Sequence, residues 1–386
     1  MKHKVIIFIN SLRTGGAERV VSHLLAHMKD DFEIHLALYN RSIDYEIPPE
    51  VKIFDMKQAM RENIFLIFLK LPLLSYKLYR YCKKNKIETS VAFLNRPCYI
   101  NALLRSIWRF KGCIVMCERT HQTTILKHNK FLYRFISRNM VKFAYSKADV
   151  LIANSYEMKA DIIDNFHVKV PVQVIHNPID LHHIRRQMHK KTNVTFEEGH
   201  FHFISVGGFR KEKNYDALIN SFYMLKHLPV KLLIVGGGVL EKSIRAKVHD
   251  LGLSDRVIFA GFDNNPFKYL RKADCFVLTS YVEGFPNVLL EALACGVPII
   301  STDCKSGPRE ILAPGTDLSH KALSSYETAE FGMLTPVHDV SNLAAAMTRM
   351  YEDGELRAQY RKRAKERAES FDISKIKRYF HVAFSG

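Results

Sequence analysis

The sequence predicts an α/β protein made of two doubly wound, parallel-sheet units in tandem. Three observations carry this. Short apolar runs rich in Val, Ile and Phe alternate with stretches of helical period. Glycine-bearing turns such as Gly15-Gly16 and Gly207-Gly208 follow several of those runs. The alternation restarts near residue 200 of 386, in keeping with single cores that stop growing at roughly 250–300 residues.

In chain order, Lys4–Asn10 reads as a buried strand, closed by Arg13-Thr14-Gly15-Gly16, with a helix from about Ala17. Ile34–Tyr39, Thr89–Leu94, Cys113–Cys117, Val150–Ala153 and Val172–Ile175 read as further strands separated by helical patterns. The second series runs Phe201–Val206 (strand), Tyr215–Leu225 (helix), Lys231–Val235 (strand) and Glu241–Leu251 (helix). The strands Val257–Ala260, Cys275–Leu278 and Pro298–Ser301 continue it. The expected boundaries are 1–182 for the first unit, 183–200 for a polar linker and 201–365 for the second unit.

Composition excludes several classes. A hydrophobic content of 47% with 25% charged residues is globular rather than disordered or collagen-like. No run of about 18 uncharged apolar residues exists, so a polytopic membrane protein is excluded. The best stretch, Ile64–Leu74, is interrupted by Lys70 and Pro72. Val5–Ile9 is too short for a signal-peptide core. Seven scattered Cys suit a reducing cytosol better than a disulfide framework. The formal net charge of +18 is concentrated: residues 56–147 carry 19 Lys and Arg against only Glu62, Glu88 and Glu118, with 14 aromatics including Trp108. Such a stretch suits a polyanion, whether nucleic acid, an anionic bilayer or a phosphorylated substrate.

Ligands of open parallel sheets bind at the carboxyl ends of the strands, which singles out four segments. Gly15-Gly16 ahead of a helix either admits an anion to free N–H groups or simply makes a tight turn, and it lacks the G-x-G-x-x-G dinucleotide pattern. Arg210 and Lys213 after Val206-Gly207-Gly208-Phe209 either clamp a diphosphate or lie on a solvated loop. Gly236-Gly237-Gly238 suits close backbone packing or a nucleotide. The most informative segment is Glu283-Gly284-Phe285-Pro286-Asn287-Val288-Leu289-Leu290-Glu291, two carboxylates bracketing a helix start. Free N–H groups there would cradle a phosphate, with Glu283 near a sugar and Glu291 near ribose hydroxyls. The alternative is an ordinary capped helix with incidental acids.

Glu283…Glu291 resembles the Glu-x7-Glu motif of the retaining glycosyltransferase family 4. Gly15-Gly16-Ala17-Glu18-Arg19, Phe209-Arg210 with Lys213-Asn214, Gly296–Ser301, Gly307–Ile311, Gly332–Val337 and Val174–Asp180 also resemble its segments, in order. The resemblance implies a GT-B fold, two Rossmann-like domains facing a cleft with the donor held mainly by the second. It also implies a C-terminal helix over 366–386 returning to the first domain. It implies donor contacts from Gly16, Gly208, Arg210, Lys213, Phe262, Glu283, Gly284, Phe285, Pro286, Asn287, Val288, Leu289 and Glu291. Arg210 and Lys213 would stabilise the leaving diphosphate, and Glu283 the donor sugar. No cofactor and no metal are expected, since the Arg/Lys clamp can serve in place of a cation and no Asp-x-Asp pair occurs. Relatives often place a His directly after a Glu in the first domain; here Arg119 follows Glu118 and His121 comes two later, so His121 is the catalytic candidate on that side.

The acceptor is read from the basic stretch. Ile64, Phe68, Leu71, Leu74, Leu78 and Tyr81 recur at helical spacing, with Lys70, Lys77, Arg80, Lys83 and Lys84 around them. Pro72 is expected to kink or split this helix. The helix either lies at an anionic bilayer surface or covers the sheet with a solvated basic side. A second aromatic-basic cluster, 127–147, includes Phe131, Tyr133, Phe135, Phe143 and Tyr145. The expected partners are a nucleotide-sugar donor, a lipid-linked or glycolipid acceptor and an anionic membrane surface. Arg119 and the helix cations lie on the acceptor side, at the cytoplasmic face. Nucleic acid is not expected, for want of a zinc or RNP-like pattern. A nucleotide-sugar epimerase or hydrolase is the competing enzyme class.

Overall fold

In a computed structural model of the chain, residues 1–59, 64–127 and 131–386 are described, without the side chains of 64–67 and 131–132. The expectations on Glu62 and on the side chains of Ile64 and Phe131 lie outside the described residues. The chain forms two compact units, Met1–Pro178 with Ile373–Gly386, and Ile179–Asp372.

The first unit holds a sheet of β1 (His3–Ile9), β2 (Phe32–Leu38), β3 (Lys52–Asp55), β4 (Thr89–Phe93), β5 (Cys113–Glu118), β6 (Val150–Ala153) and β7 (Val172–Val174). Their order is β3-β2-β1-β4-β5-β6-β7 and every pair is parallel. Val5 through Ile9 are wholly buried, as a strand covered by helices on both faces must be. The second unit repeats the plan with β8 (Phe201–Val206), β9 (Val230–Val235), β10 (Val257–Gly261), β11 (Cys275–Leu278), β12 (Ile299–Thr302), β13 (Glu327–Thr328) and β14 (Met333–Thr335). Its order is β10-β9-β8-β11-β12-β14-β13, parallel except for the β13–β14 edge pair. Strand order reverses between β1 and β4 and between β8 and β11, so the loops leaving these strands open the crevices in which such sheets bind ligands.

Four expectations are corrected. The list of expected strands is incomplete, because Lys52–Asp55 forms the edge strand β3; it is short and half-exposed, so its apolar signal is weak. The 183–200 linker begins with a helix, Leu181–Gln187, capped by Asp180 Oδ1 on the His183 amide, and the unit boundary falls at Pro178/Ile179. The return to the first unit comes after Asp372, because the helix Gly354–Glu369 packs on the helix Asn287–Ala294 within the second unit. The final helix, Ile373–Ser385, buries Ile376, Phe380, Ala383 and Phe384 in the first unit. Pro72 does not split its helix, which runs unbroken from Ile64 to Asn85. Pro72 lies on the exposed side, where water can serve the carbonyl that loses its amide partner. Leu71, Leu74 and Leu78 of that helix are buried, so the apolar stripe covers the sheet and the cations face outward.

Candidate active site

The donor-side residues gather at the carboxyl ends of β8 and β11. After β8, Phe209 turns inward at 1% exposure, while Arg210 projects to solvent. The loop after β9 is pressed against it. A Cβ on Gly236 would lie 2.0 Å from the Gly207 carbonyl oxygen, and one on Gly238 would lie 2.9 Å from the Phe209 amide nitrogen. Both glycines have φ near +150°, so these positions demand glycine for close approach and conformation alike. Lys211–Lys213 form one 3-10 turn, and Asn214, in the left-handed region at φ 50°, caps the helix Tyr215–Met224 by accepting from the Ala217 amide.

The end of β11 locks onto that turn. Thr279 Oγ1 donates to the Lys213 carbonyl at 2.8 Å, the Tyr281 amide donates to Glu212 O, and Tyr281 Oη donates to Asn214 Oδ1. The result is a close pair: Lys213 Nζ lies 2.6 Å from Glu283 Oε1, with side chains 17% and 12% exposed. Ser280 Oγ donates to the same carboxylate oxygen at 2.6 Å. The structure thus brings together two residues 70 positions apart in the chain, one expected at the diphosphate and one at the sugar.

The helix Asn287–Ala294 starts directly after Pro286, which occupies its N-cap with extended backbone. The loop beneath it is shaped by 303–309. Thr302 Oγ1 donates to Ser280 O, and the Glu283 amide to Lys305 O. Ser306 and Gly307 both have positive φ, 66° and 97°, and a Cβ on Gly307 would lie 2.6 Å from Pro286 Cδ and 3.0 Å from Phe285 Cα. Arg309, fully buried, secures this loop. Its Nε and Nη2 donate to Asp303 Oδ2 at 3.0 and 2.5 Å, Nη2 also to Glu327 Oε2 at 2.7 Å, and Nη1 to Thr316 Oγ1 at 3.1 Å.

Two of the residues expected at the donor turn their side chains into the core. The Phe285 side chain packs edge-on against Phe371 at 5.5 Å in the core. Leu289 is wholly buried and its amide is taken by Pro286 O. Both hold the loop in place, since an aromatic and a Leu gain more from burial there than from a polar ligand. Glu291 lies on the same helix, 3% exposed. Gly208, Gly284, Asn287 and Val288 keep partial exposure, Pro286 is buried, and Phe262 stands 61% exposed beyond β10.

In the first unit, Gly16 opens the helix Gly16–Met28 and is exposed. Glu118, at the end of β5, is buried and satisfied: Oε1 accepts from the Arg119 amide at 2.8 Å and the Thr120 amide at 3.0 Å, and Oε2 from Gln122 Nε2 at 2.9 Å and from Tyr145 Oη. His121, 5% exposed, sets Nδ1 3.3 Å from Asp161 Oδ2 and 3.1 Å from Thr124 Oγ1. Asp161, on a single π-helical turn (Asp161–Asn165), was not singled out by the sequence reading, since its partner is 40 residues away. Arg119 is buried beside Asn177 rather than on the basic surface, whereas Lys77, Arg80, Lys83 and Lys84 are exposed and Lys70 is half-buried. Among the described residues, no three His, Cys, Asp or Glu side chains converge as a metal site would require.

Comparison with known proteins matches this geometry to one family. Residues 14–183 match the family described as Glycosyltransferase Family 4, and residues 187–367 match Glycosyl transferases group 1. A Campylobacter jejuni protein named N-acetylgalactosamine-N,N'-diacetylbacillosaminyl-diphospho-undecaprenol 4-alpha-N-acetylgalactosaminyltransferase is 37% identical, over 97% of this chain and 97% of its own. Among solved structures, the fold resembles sucrose-phosphate synthase from Thermosynechococcus elongatus, with a TM-score of 0.79 and 18% identity over 97% of this chain and 96% of that one. It also resembles Anabaena HepE, solved in complex with UDP-glucose, with a TM-score of 0.77 and 19% identity over 99% of both chains. Matched on both halves and along nearly the full length of a relative, the chain is a glycosyltransferase with the GT-B fold and belongs to glycosyltransferase family 4.

Proposed function

We propose that this glycosyltransferase moves a hexose or N-acetylhexosamine, with retention of configuration and without a metal, from a UDP-linked donor to a lipid-linked glycan at an anionic membrane surface. The observation that carries the chemistry is the Lys213–Glu283 pair at 2.6 Å, beside Arg210 and the start of the helix Asn287–Ala294. Breaking the bond between the anomeric carbon and the diphosphate leaves negative charge on phosphoryl oxygens and positive charge on the sugar. Lys213, Arg210 and the first-turn amides face the first, and Glu283 the second. One such preorganised donor is worth roughly 3–4 kcal/mol of barrier. The acceptor hydroxyl forms its new C–O bond on the same face and passes its proton to the departing phosphate, so the substrate supplies the base. Glu291 holds the ribose and His121, steadied by Asp161, contacts the sugar or acceptor.

The acceptor class rests on the Campylobacter relative, whose name specifies a diphospho-undecaprenol-linked glycan. No helix among the described residues is long and apolar enough to cross a membrane. The surface suits peripheral attachment. The helix Ile64–Asn85 exposes Leu69, Leu73 and Tyr76 beside Lys77, Arg80 and Lys84, and the helix Phe131–Tyr145 exposes Tyr133, Phe135, Ile136 and Phe143 beside Arg134 and Arg138. Neither helix contains an acid. Apolar side chains among cations fit the headgroup boundary, each cation contributing about 1 kcal/mol near an anionic leaflet.

Thermal protection by UDP- and GDP-sugars tests the donor, with UDP-N-acetylgalactosamine the first to try. Protection by GDP-sugars alone would overturn the UDP assignment. Cosedimentation tests the surface: binding to anionic but not neutral vesicles is expected, and equal binding to both, or to neither, contradicts it.

A further inference from the structure

Among the described residues, the two arginines that are fully or nearly fully buried, Arg309 and Arg119, are satisfied very differently. Arg309 engages two carboxylates and a hydroxyl with all three guanidinium nitrogens. Arg119, 6% exposed, donates from Nη1 to Asn177 Oδ1 at 2.7 Å and interacts with the neighbouring Cys117 thiol. Its Nε and Nη2 are buried and have no hydrogen-bond partner. The guanidinium carbon lies 4.8 Å from the Phe93 ring centroid and 6.0 Å from that of Phe380. Polar partners are therefore reached through its edges.

Among the described residues, no carboxylate accepts a hydrogen bond from its guanidinium. The nearest acid in sequence, Glu118, spends its oxygens on Arg119's own amide, Thr120, Gln122 and Tyr145. Cys117 is next to it, but burial pushes that thiol up to about 12, so it stays neutral. Two buried N–H groups left without acceptors on a guanidinium are costly, and such orphans point to a ligand that satisfies them. Nε–H and Nη2–H share one edge of the guanidinium, the side-on fork that takes two oxygens of a phosphate or carboxylate. One residue past the neighbouring strand β6, Asn154 Oδ1 is likewise buried and unpartnered. The parallel pairing of Glu118 with Ala153 sets Arg119 and Asn154 next to each other at the ends of β5 and β6.

We propose that Arg119 is the phosphoryl receptor of the first unit, holding two oxygens of a substrate diphosphate on its Nε/Nη2 edge while Asn154 accepts from a neighbouring hydroxyl. The inference rests on the glycosyl-transfer reading only for the origin of the diphosphate. The acceptor's lipid diphosphate is the source favoured, because the donor's is already met by Arg210 and Lys213.

The test uses the full chain with geranyl diphosphate, geraniol and UDP as probes, in the parent and in Arg119→Gln, Arg119→Lys and Arg309→Gln. The parent should bind geranyl diphosphate but not geraniol. Arg119→Gln should weaken that binding roughly tenfold to a hundredfold, the worth of charge-assisted hydrogen bonds, and leave UDP binding unchanged. Arg119→Lys should recover part of it. The melting temperature of Arg119→Gln should not fall, since a costly charge is removed, whereas that of Arg309→Gln should. Weakened UDP binding instead would keep the receptor and assign it to the donor. Unchanged binding of both probes, or a melting loss matching Arg309→Gln without a binding change, overturns the proposal. Should Arg119→Gln not fold, Arg119→Lys and competition by inorganic pyrophosphate against geranyl diphosphate in the parent decide it. A parent that transfers sugar while Arg119→Gln keeps its acceptor KM refutes this inference alone; a parent that transfers to no lipid acceptor refutes the function proposed above.

Discussion

Replacing Lys213 by Ala separates two consequences of one contact. The variant leaves the Glu283 carboxylate, 12% exposed, with Ser280 Oγ as its hydrogen-bond donor. Removing one partner of a fully buried pair costs roughly 3–5 kcal/mol, and an exposed pair is worth about 0–1 kcal/mol. With side chains 17% and 12% exposed, the Lys213–Glu283 pair falls between, at about 2 kcal/mol. For a unit of this size that lowers Tm by about 4–8 °C. Glu283→Ala should cost a similar amount, and the double variant little more than either single one, because both lose the same interaction. A double-mutant cycle by thermal or urea unfolding should therefore return a coupling of about 2 kcal/mol. Turnover should fall more steeply, roughly 10²–10³-fold for Lys213→Ala, if Lys213 stabilises the leaving charge as proposed. Strictly additive stability losses would refute the coupling. A kcat within tenfold of the parent would refute the role in departure.

Three further outcomes are expected. Gly307→Ala forces a Cβ to within 2.6 Å of Pro286 Cδ at φ 97°; the strain, about 1–3 kcal/mol, should raise the donor KM, and a donor titration with unchanged KM would show that this loop does not set the site. Glu291→Ala should weaken UDP binding roughly tenfold to a hundredfold by calorimetry, and an unchanged Kd would remove Glu291 from the ribose. The hydrogen bond from Lys52 to Glu33, at 2.7 Å, holds that carboxyl down to about 2. A lowered folded value means stability that is present above the usual carboxylate range and lost as pH falls towards 2. Acid unfolding should thus show the parent's advantage over Glu33→Gln shrinking across that window, and a constant difference would contradict it.

The two-unit plan was legible because the central strands of both sheets are parallel and covered on both faces, which writes runs such as Val5–Ile9 and Leu232–Val235 as plain apolar segments. Edge strand β3 was missed because it is four residues long, pairs only with β2, and its residues stay half-exposed. At the site, Glu283 and Lys213 were legible as types near strand ends, but their pairing depends on Thr279, Tyr281 and Asn214 locking two loops that are distant in sequence. The same holds for Asp161 behind His121, two residues 40 positions apart. The motif placed Phe285 and Leu289 at the helix start but did not tell that their side chains face the core. On the helix Ile64–Asn85, periodicity located the apolar stripe but not which side of it met the sheet.

The central claim is sugar transfer from a nucleotide diphosphate to a lipid-diphosphate glycan. Its direct test is a two-phase assay with radiolabelled UDP-N-acetylgalactosamine and an undecaprenyl-diphosphate-linked oligosaccharide, in chelator. The account predicts that label moves into the lipid phase in proportion to UDP released, as an α-linked product, without added metal. UDP released at the same rate without acceptor, or label that never leaves the aqueous phase with any UDP-sugar offered, would contradict it.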